Sequence, residues 1–174
     1  MKYLLPACLI LLGGCASENS RAYRDQQHYK QDYGVIADAL RYAAPAGKKV
    51  LRTTHQMFLN GKIIRGGCWD YLNAAFDKAG YPYAKRQRIY FGSKKGPYAP
   101  SHLLWPGDWV YHINHSYNGV EHSGMFVGWI DRRRKLALMF SYAGERRSEP
   151  ARYKRYDLSS VYSIQRAVDR KAHV

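Results

Sequence analysis

The sequence predicts an α+β domain in which helices come first and an antiparallel β-sheet follows. Two observations carry this prediction. Up to about residue 80 the apolar residues recur every three to four positions, which is typical of amphipathic helices. Beyond Pro82 the pattern changes to a period of two, with turn residues between the segments. No internal repeat interrupts this order, and roughly 140 residues are enough for one domain with a hydrophobic core.

Three helices are predicted before Pro82. The first covers residues 34–44, where apolar side chains fall on one face before a proline ends the pattern. A second, short helix is predicted over residues 50–59. The third covers residues 68–79 and ends at Gly80, because glycine is common just past a helix C-terminus.

Five strands are predicted after the helices, separated by turns such as Trp105-Pro106-Gly107. They are residues 88–91, 108–114, 122–130, 135–142 and 161–168. We expect the helices to pack on one antiparallel sheet. If the third and fourth strands form a hairpin that turns near Arg132, residue 141 lies opposite residue 122.

Residues 1–14 are typical of a bacterial signal peptide. Lys2 precedes an apolar run that ends at Leu12 and is too short to span a bilayer. The next residues, Leu12-Gly13-Gly14-Cys15, resemble the bacterial lipobox, which implies that Cys15 becomes the lipid-bearing first residue of the mature protein. Two or three acyl chains form a stable anchor, since each buried methylene contributes about 0.8 kcal/mol. The alternatives are an ordinary secretory signal and a buried N-terminal strand.

The residue after Cys15 is Ala16 rather than Asp, a pattern similar to that of Gram-negative lipoproteins sent to the outer membrane. Residues 16–33 hold no aliphatic residue larger than alanine, so they cannot build a core and are predicted to form a flexible tether. The predicted organisation is therefore a signal peptide over 1–14, a lipidated tether over 15–33 and a domain over 34–170. The expected location is the cell envelope, on the periplasmic side of the outer membrane if the cell is Gram-negative.

The chain carries a formal net charge of +15. A basic, tyrosine-rich chain often binds nucleic acid, but the predicted export argues against that partner. Outside the cytoplasm the anionic partners are cell-wall polymers, lipopolysaccharide and lipid headgroups. The basic stretches at residues 85–88, 132–135 and 146–155 either form a solvated surface or attract the wall or membrane.

The three cysteines have different predicted fates. Cys8 leaves with the signal peptide and Cys15 is acylated, so Cys68 is the one free thiol of the mature chain, in a compartment that oxidises thiols. At the first turn of a predicted helix, the helix dipole lowers the pKa of a thiol, and free amide groups can stabilise an oxyanion. His122, at the start of an apolar strand, could supply the base. The alternative is a buried, inert cysteine.

Three motifs occur in a suggestive order: Gly66-Gly67-Cys68 opening a helix, Trp105 to Val110 (WPGDWV) opening a strand, and His122 to Gly128 (HSGMFVG). Together they resemble the NlpC family of cell-wall cysteine peptidases and the related CHAP amidases, which have papain-like folds. The resemblance covers roughly residues 60–168. The family's usual strings are close to DCSG, PGDLVFF and HVGIYLG. The first motif departs from its string, because Gly67 replaces the acid and Trp69-Asp70 replace Ser-Gly.

The resemblance implies a fold, a catalytic set and a substrate. The fold would be a papain-like NlpC-type core, with Cys68 as nucleophile and His122 as base. A third polar residue is expected near the end of the following strand, which is Ser141 by the predicted pairing; the alternatives are His112, Asn114 and His115. The residues expected to contact substrate are Gly67, Trp69, Asp70 and Ser123.

No metal or cofactor is expected. The chain has no HExxH or paired-cysteine motif, and His112 and His115, three positions apart on or beyond a strand, point to opposite faces. The predicted function is a lipid-anchored cysteine hydrolase that cleaves amide bonds in peptidoglycan. The alternatives are a hydrolase of the same fold acting on other acyl groups and a non-catalytic lipoprotein that binds an envelope polymer or protein.

Overall fold

The computed structural model describes residues 30–169, so the lipobox, Cys15 and most of the predicted tether lie outside the described residues. Three helices come first: α1 over residues 30–42, α2 over Pro45–Leu59 and α3 over Cys68–Lys78. Six strands follow: β1 Arg86–Phe91, β2 Trp109–Asn114, β3 Val120–Asp131, β4 Leu136–Ser141, β5 Arg152–Asp157 and β6 Val161–Ala167. The predicted α+β class is confirmed. Within residues 30–169 no helix is both long enough and apolar enough to cross a bilayer.

The six strands form one antiparallel sheet in the order β1-β6-β2-β3-β4-β5. Strands β2 to β5 follow each other as a meander, and β6 then returns to pair with both β1 and β2. The start of β3 therefore lies beside the end of β2 and the end of β4. This corner of the sheet carries His122.

Strand β5 was absent from the sequence prediction, which took Arg152 to Arg155 as part of a basic stretch. The strand pairs with β4 along the sheet edge, with Ser141 opposite Arg152. Three of its six side chains are basic, and on an edge strand such side chains face water and discourage pairing with other chains. The basic residues obscured the inward-facing tyrosines, Tyr153 and Tyr156.

Helix α1 begins at residue 30, four residues before the predicted start of the domain at residue 34. In this first turn, Asp32 forms an ion pair with Arg155 at 2.9 Å. The first turn is entirely polar, so it gave no apolar periodicity to predict. The helix is instead held by this ion pair, while its apolar face, including the buried Ala39, packs on the core.

The helices pack on one face of the sheet and enclose the main core. Its fully buried members come from α2, α3 and the central strands, and each large apolar side chain contributes about 1.5–3 kcal/mol on burial. The fully buried residues of this core include Val50, Leu72, Phe76, Met125 and Phe140. A second apolar cluster on the opposite face contains Val110, Phe126, Met139 and Ile164. The sheet is thus buried on both faces, which fixes its register at the corner near His122.

Helix α2 begins five residues earlier than predicted, at Pro45. Proline is favoured in the first turn of a helix because its missing N–H has no helical partner there. Gly47 then allows the helix to touch the turn before β2: a Cβ on Gly107 would lie 2.6 Å from the Cα of Gly47. Gly107 also has φ of +95°, a conformation that favours glycine. The two glycines bring α2 against the start of β2.

Candidate active site

Cys68 is the first residue of α3, as predicted, and the turn before it is tightly defined. Gly66 has φ of +104°, and the Asp70 carboxylate accepts a hydrogen bond from the Gly67 N–H at 2.7 Å. A Cβ on Gly66 would overlap the Asp70 side chain, so this position requires glycine. Because the first N–H groups of a helix have no partner within the helix, the amides at Cys68 are suited to stabilise negative charge.

The Cys68 thiol has polar partners on β3. The Ser123 hydroxyl donates a hydrogen bond to Sγ at 3.3 Å. Burial raises the pKa of the thiol, but hydrogen bonds with His122 and Ser123 and the charge of His122 outweigh it, so the pKa falls from 9.0 to about 7. A substantial share of the thiol is therefore thiolate at neutral pH, and the thiolate is the nucleophilic form.

His122 is held by a chain of hydroxyl groups. Its Nε2 lies 3.0 Å from the Ser141 Oγ, and that oxygen lies 2.9 Å from the Tyr156 hydroxyl. Ser141 thus engages Nε2, and Nδ1 is the other ring nitrogen of His122. The chain from Tyr156 through Ser141 orients the imidazole, although it holds no formal negative charge.

The predicted contact between His122 and Ser141 is present, but the predicted register is wrong. Met125 pairs with Phe140, which places Ser141 beside Gly124 rather than opposite His122. Asp131 pairs with Leu136, so the hairpin turns over residues 132–135, later than the predicted turn near Arg132, and irregularities in β3 between Phe126 and Asp131 remove only part of this offset. The two side chains still meet because diagonal neighbours across an antiparallel pair remain within reach.

A second histidine, His112, packs directly against the first. It pairs with His122 across β2 and β3, and the two rings meet edge to face with centroids 5.6 Å apart. His112 is fully buried, and neither ring nitrogen makes a hydrogen bond of ordinary geometry within the described part of the chain. Burial and the charge of His122 lower its pKa from 6.5 to about 4, so the ring is neutral at pH 7. It acts as a wall rather than as the third polar partner.

Tyr156 is the functional candidate that the sequence prediction missed. Its ring lies 5.2 Å from the rings of both His112 and His122, so His122 is enclosed by two aromatic neighbours. Burial raises the pKa of Tyr156, which keeps its hydroxyl protonated as a donor or acceptor toward Ser141. Reading Arg152 to Asp157 as a strand would have pointed to this residue.

The remaining predicted residues are the four expected substrate contacts and two of the alternative third residues. Trp69, the residue after Cys68, is 51% exposed and packs on buried Trp109 with ring centroids 5.9 Å apart. The Gly67 N–H donates a hydrogen bond to the Asp70 carboxylate, and the Ser123 hydroxyl donates one to the Cys68 thiol. Substrate contacts by these four residues stay predictions. Of the alternative third residues, Asn114 ends β2 and His115 is exposed in the following turn.

The Trp105 to Val110 motif has a structural role at the other end of β2. Arg166 donates two hydrogen bonds of 2.7 Å to the Asp108 carboxylate and lies over the Trp105 ring at 4.0 Å. The same carboxylate accepts the Trp105 N–H at 2.8 Å. Burial raises the pKa of Asp108, and the opposing effects of Arg166 and the Trp105 amide offset this only in part. This clamp fixes the strand that carries His112.

Among residues 30–169, no cluster of three or more His, Cys, Asp or Glu side chains is arranged to hold a metal ion. Comparison of the chain with protein-family models, curated proteins and solved structures gave no match. The roles of Cys68, His122 and Ser141 therefore depend on their geometry and chemistry.

Proposed function

We propose that this chain is a cysteine hydrolase that cleaves amide bonds in peptidoglycan, as a stem-peptide endopeptidase or an amidase, and is held at the membrane through Cys15. One observation carries the proposal: the Cys68 thiol, at a helix N-terminus, is placed with Ser123 and His122 so that its pKa falls to about 7. A lowered thiol pKa is what a cysteine nucleophile needs, because the thiolate is the attacking form.

Acylation would proceed from the Cys68 thiolate. Its proton passes to His122, and Sγ attacks the amide carbonyl to form a tetrahedral oxyanion beside the amides at the start of α3. As the C–N bond breaks, His122 returns the proton to the leaving amine. The product is a thioester on Cys68.

Deacylation would use the same base. His122 takes a proton from water, the resulting hydroxide attacks the thioester carbonyl, and the C–S bond breaks to release a carboxylic acid and the Cys68 thiol. Ser141 and Tyr156 act on His122 rather than on substrate. They are positioning residues in this mechanism.

The fold also supports the proposal. A helix with the nucleophile at its first residue packs on an antiparallel sheet, and the base lies near the start of a central strand. This order is the one that an NlpC-type papain-like core would have. We therefore propose that fold for residues 60–168, on the three sequence motifs and on this arrangement.

Peptidoglycan is the proposed substrate for two reasons. The N-terminal sequence predicts export and lipid attachment, which would place the domain beside the cell wall. The net charge of +15 favours an anionic polymer as partner. Both reasons concern location and encounter, so the bond that is cut has to be identified by its products.

The direct test is digestion of purified sacculi. Wild-type protein should release muropeptide fragments with new termini, identified by mass spectrometry, whereas Cys68→Ala should release none. Cys68→Ala must keep the thermal unfolding midpoint of the wild type, since the thiol contributes little to the core. Identical fragment profiles for the two proteins would contradict the peptidoglycan assignment.

A second candidate is a hydrolase of the same mechanism acting on other acyl groups. Trp69, half exposed and next to Cys68 in the sequence, offers an apolar surface on which an acyl chain could lie. Turnover of a nitrophenyl ester or a small amide, together with intact sacculi, would favour it. If folded protein at neutral pH resists iodoacetamide at Cys68, both enzymes are excluded and a non-catalytic envelope-binding lipoprotein is left.

A further inference from the structure

We propose that the site selects substrates with a carboxylate next to the scissile carbonyl, and that Arg65, Arg146 and Arg147 recognise it. The proposal names the substrate class of the proposed hydrolase, so it rests on that proposed function. The charge preference itself can be measured on the Cys68 thiol without turnover.

The three arginines come from two segments that meet at the nucleophile. After β4 the chain crosses the Cys68 loop, where the Glu145 N–H donates to the Gly66 carbonyl at 2.9 Å. This bond places the short 3₁₀ turn Glu145–Arg147 against the loop that precedes α3. Arg65 lies in that loop, directly before Gly66.

The loop is pinned on its other side as well. The Tyr142 hydroxyl donates to the Ile64 carbonyl at 2.7 Å and accepts the Ile64 N–H at 3.2 Å. The backbone next to Arg65 is therefore fixed to the sheet. Arginine side chains on such a frame can bind a ligand at the Cys68 loop without the cost of ordering a free loop.

These arginines keep their hydrogen-bonding capacity for a ligand. All three are exposed, and within residues 30–169 none of them forms an ion pair or a cation–π contact. Arg152, a little further along the chain, is by contrast paired with Glu149. A free guanidinium is matched to a planar carboxylate, which it binds through two parallel hydrogen bonds.

Two of the nearby acidic side chains are already engaged by partners other than the three arginines. The Asp70 carboxylate is engaged by the Gly67 N–H, and Glu121, next to His122 in sequence, is paired with Lys94. Glu145 is the acidic residue in the same turn as two of the arginines. The two segments that meet at the Cys68 loop therefore carry a local surplus of positive charge, as a specificity element for an anionic substrate requires.

The test compares alkylating reagents of different charge on the full chain. In each case the Cys68 thiolate displaces iodide, so that an S–C bond forms and the C–I bond breaks. Iodoacetate carries a carboxylate on the attacked carbon, and iodoacetamide is its neutral analogue of nearly equal size. Mass spectrometry locates the adduct at Cys68. Any change in the thiol pKa affects both reagents, so it cancels in the ratio of their rates.

We expect the iodoacetate to iodoacetamide rate ratio to fall about fivefold in the triple variant Arg65→Gln, Arg146→Gln, Arg147→Gln, because about 1 kcal/mol of attraction is lost near water. The matched control is Arg132→Gln, Arg133→Gln, Arg134→Gln. It removes the same charge from the β3–β4 turn, about 30 Å along the strand from His122. The control ratio should equal that of the wild type.

Two results would overturn the proposal. An unchanged ratio in the site variant would show that the arginines do not act at the thiol, and an equal fall in the control would show only a general effect of net charge. In either case a reactive Cys68 leaves the hydrolase proposal standing. A thiol inert to both reagents would overturn the hydrolase proposal and this one together.

Discussion

The two ends of β2 carry two polar clusters that are organised in opposite ways. At its start, Asp108 is buried and bonded to both Arg166 and the Trp105 amide. Toward its end, the His112 ring is buried against His122, and neither ring nitrogen makes a hydrogen bond of ordinary geometry among the described residues. The charged groups of the first cluster are therefore paired within the fold.

The difference separates structural polar groups from reactive ones. A fully paired buried charge stabilises one geometry, and removing one of its partners is costly. A thiol with a single hydroxyl donor and a neighbouring imidazole can still gain or lose a proton. The predictions below alter one cluster at a time, and each should move stability or reactivity but not both.

The largest expected effect is on the base. His122→Ala should lower kcat/KM on the substrate that the sacculus digestion identifies by about 10²–10⁴-fold, because general base catalysis contributes roughly that factor. The fold should keep its unfolding midpoint within a few degrees. His115→Ala, which removes an exposed histidine from the adjacent turn, is the matched control and should keep full activity. Retained activity in His122→Ala would mean that another group is the base.

Breaking the clamp should cost stability instead. Arg166→Met leaves Asp108 buried without its cation, and such losses typically cost about 3–5 kcal/mol. Urea unfolding at pH 7 measures this change in the free energy of unfolding. In conditions where the variant is folded, its Cys68 should be alkylated at the wild-type rate. A slower rate would show that the two ends of β2 are coupled.

His112 should make the fold sensitive to acid. In the unfolded chain it gains a proton near its ordinary pKa of 6.5, but in the fold only near 4. Protons therefore favour unfolding as the pH falls through this window, by up to about 3 kcal/mol. His112→Phe should flatten the decline in unfolding free energy between pH 7 and 4. An unchanged slope would contradict the neutral state of His112.

A smaller effect is expected at the far end of the hydroxyl chain. Tyr156→Phe removes one hydrogen bond to Ser141 and should lower kcat by about tenfold or less, since a single such bond contributes roughly 1 kcal/mol. A positioning role predicts that the pH profile of Cys68 alkylation shifts as well. Tyr153→Phe is the matched control, because its hydroxyl bonds His55, outside the site, at 2.7 Å. The control should leave both readouts unchanged.

The order of elements was predictable from the sequence because each has its own periodicity. The helix starting at Cys68 shows apolar spacing on one face and ends at a glycine with φ of +89°. The strands at residues 109–114, 120–131 and 161–167 are bounded by clear turn residues. Edge strand β5 was not predictable in the same way, because its alternating pattern is dominated by solvent-facing basic side chains.

The site was only partly predictable. Cys68 and His122 stand out as a free thiol at a helix start and a histidine at a strand start. Ser141 was named from a hairpin that turns near Arg132, whereas the turn lies later, between Asp131 and Leu136, so the register differs. Tyr156 and the packing of His112 on His122 depend on strand pairing across three strands, which no local pattern encodes.

The central claim is that the Cys68 thiol is activated by its surroundings, and its pKa tests this most directly. The rate of iodoacetamide modification of Cys68 should rise with pH through a midpoint of about 7, because the thiolate is the reacting species. In His122→Ala the midpoint should move upward. A midpoint near the ordinary thiol pKa of 9.0 in the folded wild-type protein would contradict the account.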